Sequence, residues 1–310
     1  MPLRLEVMSE KKPDLFAWTL LIILTIIWGF SYYFIKHSLV AFNPTQVASL
    51  RMFFSALALS PFLLKAVKII PLKYFGTVFF VGLIGSFLPA FLYPFAQQKI
   101  SSSLAGIVNA FTPICTFGIG VMFYGIKNDR IKLTGTILAL IGAFCLILLK
   151  PNAELKADGF YLLVAFTVPF FYGLNGNIIK TKLGDFPGLQ MTALMYVSLL
   201  VLCIPIAYMS DAFHQIPVAI SQGNAFYHLL ALSVLGSAVA MALFNVLIQR
   251  VHVLFAASVT YLMPLVSLVV GWFDGEILAW NDLLGFSFIL LGVMIMNGII
   301  KRPARTLEKS

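Results

Sequence analysis

The sequence predicts an all-α integral membrane protein, with ten transmembrane helices in two inverted five-helix repeats. Three observations carry that expectation. Of 310 residues, 60% are hydrophobic and only 11% charged, with a mean hydropathy of +0.96. A soluble domain has roughly half and a quarter, so these charges are too few to solvate the surface of a globular fold. Apolar residues also gather into ten runs of about twenty, the length a helix needs to cross ~30 Å of hydrocarbon. Finally, the runs of the first half resemble those of the second.

Residues 1–14 form a polar tail with Arg4, Lys11 and Lys12 beside Glu6, Glu10 and Asp14. The apolar run that follows lacks a small-residue cleavage pattern, so it reads as a first span rather than a removable signal. The ten runs cover 15–36, 45–64, 73–97, 101–124, 131–149, 159–181, 188–209, 225–249, 252–273 and 282–300. They are apolar all round, unlike barrel strands, which alternate. Short linkers hold the turn residues, among them Asn43-Pro44, Pro71, Asn128-Asp129, Pro151-Asn152, Pro187-Gly188 and Gly275; the longest linker is 210–224. The expected organisation is a first repeat over 15–150, a second over 151–300 and a basic tail over 301–310.

Charge sets the orientation. Arg4, Lys11, Lys12, Lys65, Lys68, Lys73, Lys127, Arg130, Lys132, Lys180, Lys182, Arg250, Lys301, Arg302, Arg305 and Lys309 fall on one side of a ten-span chain. Lys36, Lys99, Lys150 and Lys156 fall on the other, and Arg51 lies within a span. The richer side is expected in the cytoplasm with both termini, as in a multi-pass protein of the plasma membrane, bacterial inner membrane included. The net charge of +9 is therefore topological and points away from nucleic acid. Cys115, Cys145 and Cys203 lie inside apolar runs, which suits buried thiols rather than disulfides or a metal cluster.

The repeat can be read residue by residue. Shifting 82–127 by 151 places Gly85 on Gly236, Ser86 on Ser237, Gln98 on Gln249, Ala105 on Ala256, Pro113 on Pro264 and Gly120 on Gly271. A one-residue deletion then places Gly135 on Gly285 and Gly142 on Gly292, while WGFSYYFIK (28–36) faces YGLNGNIIK (172–180). Five spans per half is an odd number, so the copies enter the bilayer from opposite sides. Secondary transporters use this architecture, with the substrate site between the halves.

With Trp28-Gly29 and Lys36, Pro44 followed by Arg51, and the duplicated Ala-Pro-Gly and Gly-Gly helices, the chain resembles the drug/metabolite transporter superfamily with two EamA-type repeats, over about residues 15–300. The resemblance implies export or exchange of small metabolites such as amino acids. The implied cavity is lined by spans one, three and four and their mates six, eight and nine. It also draws attention to Glu276 at the end of span nine as a gating carboxylate. The first-half counterpart of Glu276 is Gly125, which argues against a symmetric role.

Polar residues within spans mark the expected substrate pathway. Span four carries Asn109, Thr112, Pro113 and Thr116 on one face, and its mate carries Thr260, Met263, Pro264 and Ser267. Each proline frees a carbonyl one turn earlier, at Asn109 and at Thr260. Trp28, Ser31 and Tyr32 share a face of span one, as Tyr172, Asn175 and Gly176 do in span six. Pro89, Tyr93 and Gln97 in span three match the spacing of Ser237, Met241 and Asn245 in span eight. Aromatic walls with a few placed amides suit a small, partly apolar solute. Arg51 has two readings: a structural cation that snorkels to helix-end carbonyls, or a contact for a substrate carboxylate. Gly135, Gly142, Gly285 and Gly292 suit close helix packing, and such small-residue faces also offer a homo-oligomer contact. His37, His214, His228 and His252 fall at span ends or loops, where surface placement is expected.

No phosphate-loop, zinc-hydrolase or nucleophile-elbow motif occurs, which points away from ATP-driven pumping and from an enzyme; no cofactor or metal is expected. The reading is a secondary transporter for a small neutral or zwitterionic metabolite such as an amino acid, working by alternating access. An uncoupled channel would not need inverted halves. A multidrug or cation exporter would want an acidic residue near mid-span, and no span carries one there.

Overall fold

The computed structural model describes residues 13–96, 99–100, 108–126, 129–148, 158–263, 265–266 and 280–299. Its described residues form helices and turns without a strand, and each of the ten apolar runs contains a helix. In chain order these are α1 (Leu15–Ser38), α2 (Pro44–Ile69), α3 (Leu72–Ala96), α4 (Thr112–Phe123), α5 (Arg130–Leu148), α6 (Gly159–Lys182), α7 (Gly188–Ser198, bent by 41° into Leu200–Met209), α8 (Ala225–Arg250), α9 (Val253–Met263) and α10 (Trp280–Met296). The chain is an all-α, multi-pass membrane protein.

Helix starts follow local chemistry. Asp14 accepts the Ala17 N–H at 2.9 Å to cap α1, and Asp158 accepts the N–H groups of Phe160 and Tyr161 to cap α6. The two caps are 144 residues apart. Asn43 and Gln46 form a capping box ahead of Pro44, which opens α2, because proline costs nothing where no N–H is needed. The linker 210–224 holds a further helix, Ala212–Ser221. It follows Asp211 in a left-handed turn (φ 53°). The repeat offset rises from 144 to 151 across this segment, so the inserted residues accommodate that helix. Pro217 inside it made the stretch read as loop.

The halves interlock with pseudo-two-fold reciprocity. A Cβ on Gly29 of α1 would meet Val266 after α9, at 2.5 Å. Its mate Gly173 of α6 would meet the backbone of Cys115 and Thr116 in α4, at 2.8–3.0 Å. The same pairing of elements, α1 with the ninth run and α6 with α4, thus occurs twice with the halves exchanged. The main core joins both halves, with Leu21, Leu24 and Met52 packed among Ile179, Met191, Met195 and Phe255. α5 and α10 lie against each other through Gly135, Gly142 and Gly292. Gly125 explains the missing mate of Glu276: its φ of 65° turns the chain so that the Ile126 N–H returns to the Gly120 carbonyl. A side chain would strain that turn.

Candidate functional site

Two wide turns organise the centre. α3 winds as a π-helix over Leu83–Phe87 and α8 over Val234–Val239. Such a turn inserts a residue, changes which faces the flanking helix presents and recurs at functional sites. Both turns hold a Gly-Ser pair, Gly85-Ser86 and Gly236-Ser237, in the repeat register of 151. Ser237 donates to the Leu232 carbonyl five residues back at 3.3 Å, which takes up an acceptor the wide turn leaves open.

The glycines let polar side chains of the opposite half approach. A Cβ on Gly85 would stand 2.6 Å from the Asn175 amide of α6, and one on Gly236 would stand 2.7 Å from Ser31 Oγ of α1. Ser31 and Asn175 are repeat mates, so each half sets a polar residue into the π-turn of the other. Trp28 donates from its indole Nε1 to the Gly236 carbonyl at 3.0 Å and packs edge-on against Phe244.

Arg51 reaches the same place. Its Nε donates to Ser237 Oγ across the interface between halves. Tyr196 and Tyr172 lie within electrostatic range of the guanidinium, and the Tyr196 hydroxyl faces Ser86 and Ser237. No carboxylate among the described residues pairs with Arg51, and its Nη groups donate to none of them. The side chain reaches a hydroxyl of the other half rather than the helix-end carbonyls that a snorkelling cation would take.

A second group joins α3 to the start of α4. Tyr93 donates to Asn109 Oδ1 at 3.0 Å, and Thr112 donates to the Asn109 carbonyl at 2.7 Å. The carbonyl freed by Pro113 is thus capped by the neighbouring hydroxyl. The chain breaks at Ala110–Phe111, and Pro113 sits in the first turn of the helix that restarts at Thr112. Asn245 and Thr260 belong to neither group. Asn245 is fully buried and donates to Thr192 Oγ1 at 2.8 Å, bridging α8 to α7, and Thr260 back-bonds to the Ala257 carbonyl. Pro264, Glu276 and the side chain of Tyr32 lie outside the described residues.

The structure thus brings together Trp28, Ser31, Arg51, Tyr172, Asn175 and Ser237, and adds Ser86 and Tyr196. Tyr196 lies 145 residues after Arg51, next to its repeat position, and that offset is the signal that could have found it. Asn177 is a further addition: it ties α6 to α4 by donating to the Thr116 and Gly173 carbonyls.

Polar contacts between the halves also flank this centre on two sides. Arg250 and Asp14 form a 2.6 Å ion pair on one side. The Arg250 hydrogen bond holds the Asp14 carboxyl below the usual range. On the other side, Gln46 donates to the Ser210 carbonyl and Gln215 to the Ala41 carbonyl, both at 2.8 Å. There the His37 and His228 rings lie 5.0 Å apart, half-buried against Tyr33 and Phe34 rather than free on the surface.

The model of the EamA-like transporter family matches residues 15–148 and again 159–298. The uncharacterized inner membrane transporter YedA of Escherichia coli K12 is 25% identical over 281 residues, 88% of each chain. A protein of Salmonella typhimurium named "Probable amino-acid metabolite efflux pump" is 25% identical over 299 residues, covering 92% of this chain and 97% of its own. A solved structure superposes with a TM-score of 0.70 over 90% of this chain and 95% of that one, at 15% identity, a likeness of fold alone.

Proposed function

The chain belongs to the EamA-like transporter family, and from that premise we propose that it is a secondary carrier that exports or exchanges a small neutral or zwitterionic metabolite, such as an amino acid, by alternating access across the bacterial inner membrane. The observation that carries this reading is the reciprocal seating of Asn175 at Gly85 and Ser31 at Gly236. Two like halves that meet through equivalent polar residues can rock about that centre and expose it to either side in turn. The ion pair Asp14–Arg250 on one side and the Gln46 and Gln215 contacts on the other are the links such a motion would break alternately. The Salmonella relative's name supports the amino-acid class.

The test is flux of amino acids and related solutes in proteoliposomes, with solute-loaded vesicles to detect exchange. Currents of single-channel size would replace the carrier by a channel. For orientation, a cysteine introduced beside Asn152 is expected to react with an impermeant thiol reagent from outside the cell, and one beside Asp129 is not. The reverse pattern would invert the topology.

A further inference from the structure

The carrier reading leaves one charge without a purpose. Arg51 sits inside the molecule, where an unpaired cation costs about 2.5–3.5 kcal/mol on insertion scales. Its mate position holds no cation, so symmetry does not require it. Resting on the carrier reading, we infer that Arg51, with Ser237, Tyr196 and Asn175, forms the site for a carboxylate-bearing solute. The solute's carboxylate is the counter-ion that the described residues lack.

Four observations converge. Ser237 occupies only the Arg51 Nε, which fixes the guanidinium plane and leaves the Nη donors for a carboxylate fork. The Tyr196 hydroxyl, within electrostatic range of Arg51, offers a further donor to the same anion. Asn175 is 2% exposed, and its Oδ1, like those of Asn177 and Asn245, has no hydrogen-bond partner among the described residues. Unlike theirs, its amide donates to no other helix among those residues and is seated against Gly85. It lies one turn along α6 from Tyr172, which is within electrostatic range of Arg51. A buried acceptor left unmade is costly, and a solute ammonium would satisfy it. A cleft of about 230 Å³, lined by Pro44, Thr45, Phe91, Leu92 and Phe95, lies at the start of α2, outside the site itself. Pro44 and Arg51 are seven residues apart, on one face of that helix, so the cation lies about 10 Å further in at 1.5 Å per residue.

The site discriminates by charge. A lone cation would meet Arg51 with no acid among the described residues to offset it. A zwitterion satisfies Arg51 with one end and Asn175 with the other.

The experiment uses the purified full-length protein and a matched panel: the common L-amino acids, their amides, which lack the carboxylate, and their deaminated acids. Thermal stabilisation by each probe is measured in the wild type, Arg51→Gln and Arg51→Lys. The expected result is stabilisation by one or more amino acids, little by the amides, and intermediate effects from the deaminated acids. Affinity for the acids is expected to fall about 10- to 100-fold in Arg51→Gln, the scale of a charge-assisted bond, and less in Arg51→Lys. Binding of an amide as tight as its acid, unchanged binding in Arg51→Gln, or no stabilisation by any carboxylate would overturn the site. If Arg51→Gln does not fold, phenylglyoxal labelling of Arg51 in the wild type decides. Protection by the acid and not by its amide upholds the site, and labelling indifferent to both overturns it. Carboxylate binding without flux would leave the site standing and remove the carrier reading. Flux of a solute without a carboxylate, unchanged in Arg51→Gln, would do the reverse.

Discussion

Among the places where glycine brings the halves together, two differ sharply in what the glycine meets. Where α5 crosses α10, it meets backbone: a Cβ on Gly135 would stand 2.5 Å from the Met296 nitrogen and 2.7 Å from the Gly292 carbonyl oxygen. The side chains around that crossing are Ala139, Ala143, Ile289 and Val293, all buried, and the Tyr261 hydroxyl is spent on the Thr136 carbonyl. At the π-turns the glycines meet the tips of polar side chains, Asn175 and Ser31, and acceptor and donor capacity is left over. Glycine against backbone makes a rigid seam. Glycine against a polar tip makes a place that can rearrange around a solute.

The comparison breaks most sharply at the seam. Gly135→Leu forces two backbones apart with no side chain free to yield, and overpacking of a close interface costs about 1–3 kcal/mol or more. The expected outcome is a large loss of monodisperse protein in size-exclusion chromatography, whichever solute is present. Normal yield would show that the seam is softer than its geometry.

At the centre the same kind of change should act on function first. Gly85→Ala places a methyl where the Asn175 amide now sits, and that amide can swing aside. The protein is expected to fold with a near-normal melting temperature, while flux falls about tenfold or more through misplacement of one polar group. Equal damage to stability and flux would erase the distinction between the two regions.

Two asparagines sharpen it further. Asn175→Leu removes the acceptor at the π-turn and should raise KM with little change in stability. Asn245→Leu removes the bridge to Thr192 and should cost about 0.5–1.5 kcal/mol of stability, the net worth of such a bond, with KM unchanged. Exchanged phenotypes would put the pathway along α8 rather than at the π-turns.

That contrast also shows what could be read from residues alone. Ten runs of adequate length and a repeat in register lead directly to the helices, because a bilayer demands length and apolarity from each span by itself. The centre was half legible. Trp28, Ser31, Asn175 and Arg51 stood out as polar or aromatic residues inside apolar runs. Their pairing did not, because Ser237 meets Arg51 from 186 positions away and no local pattern announces a π-turn. Asn245 held the place of Gln97 in a shared i, i+4, i+8 spacing and so read as pathway. The wide turn at Val234–Val239 alters the helix face on which such spacing depends, and its amide faces α7 instead. Tyr196 showed only through its offset from Arg51, as one hydroxyl in an apolar run.

The smallest effect is expected at the rim, where Asp14 pairs with Arg250. Both side chains are half exposed, so the pair is screened by solvent. The Arg250 hydrogen bond and the Ala17 N–H hold the Asp14 carboxyl below its ordinary value of 3.8. A carboxyl depressed in the folded state stabilises above its unfolded value, and that contribution is lost as pH falls through the folded one. Between about pH 6 and 8 the pair is fully formed, so it adds no pH dependence to flux there. Asp14→Asn keeps an N-cap and removes the charge, which separates the helix start from the link between halves. A small drop in melting temperature is expected, constant over that range, shrinking once the pH falls below the ordinary value of 3.8 and vanishing only below the lowered folded one. A difference that grew between pH 6 and 8 would mean that another group titrates at this end of the molecule. The link from α1 to α8 would then be a pH-sensitive latch rather than a weak surface tie.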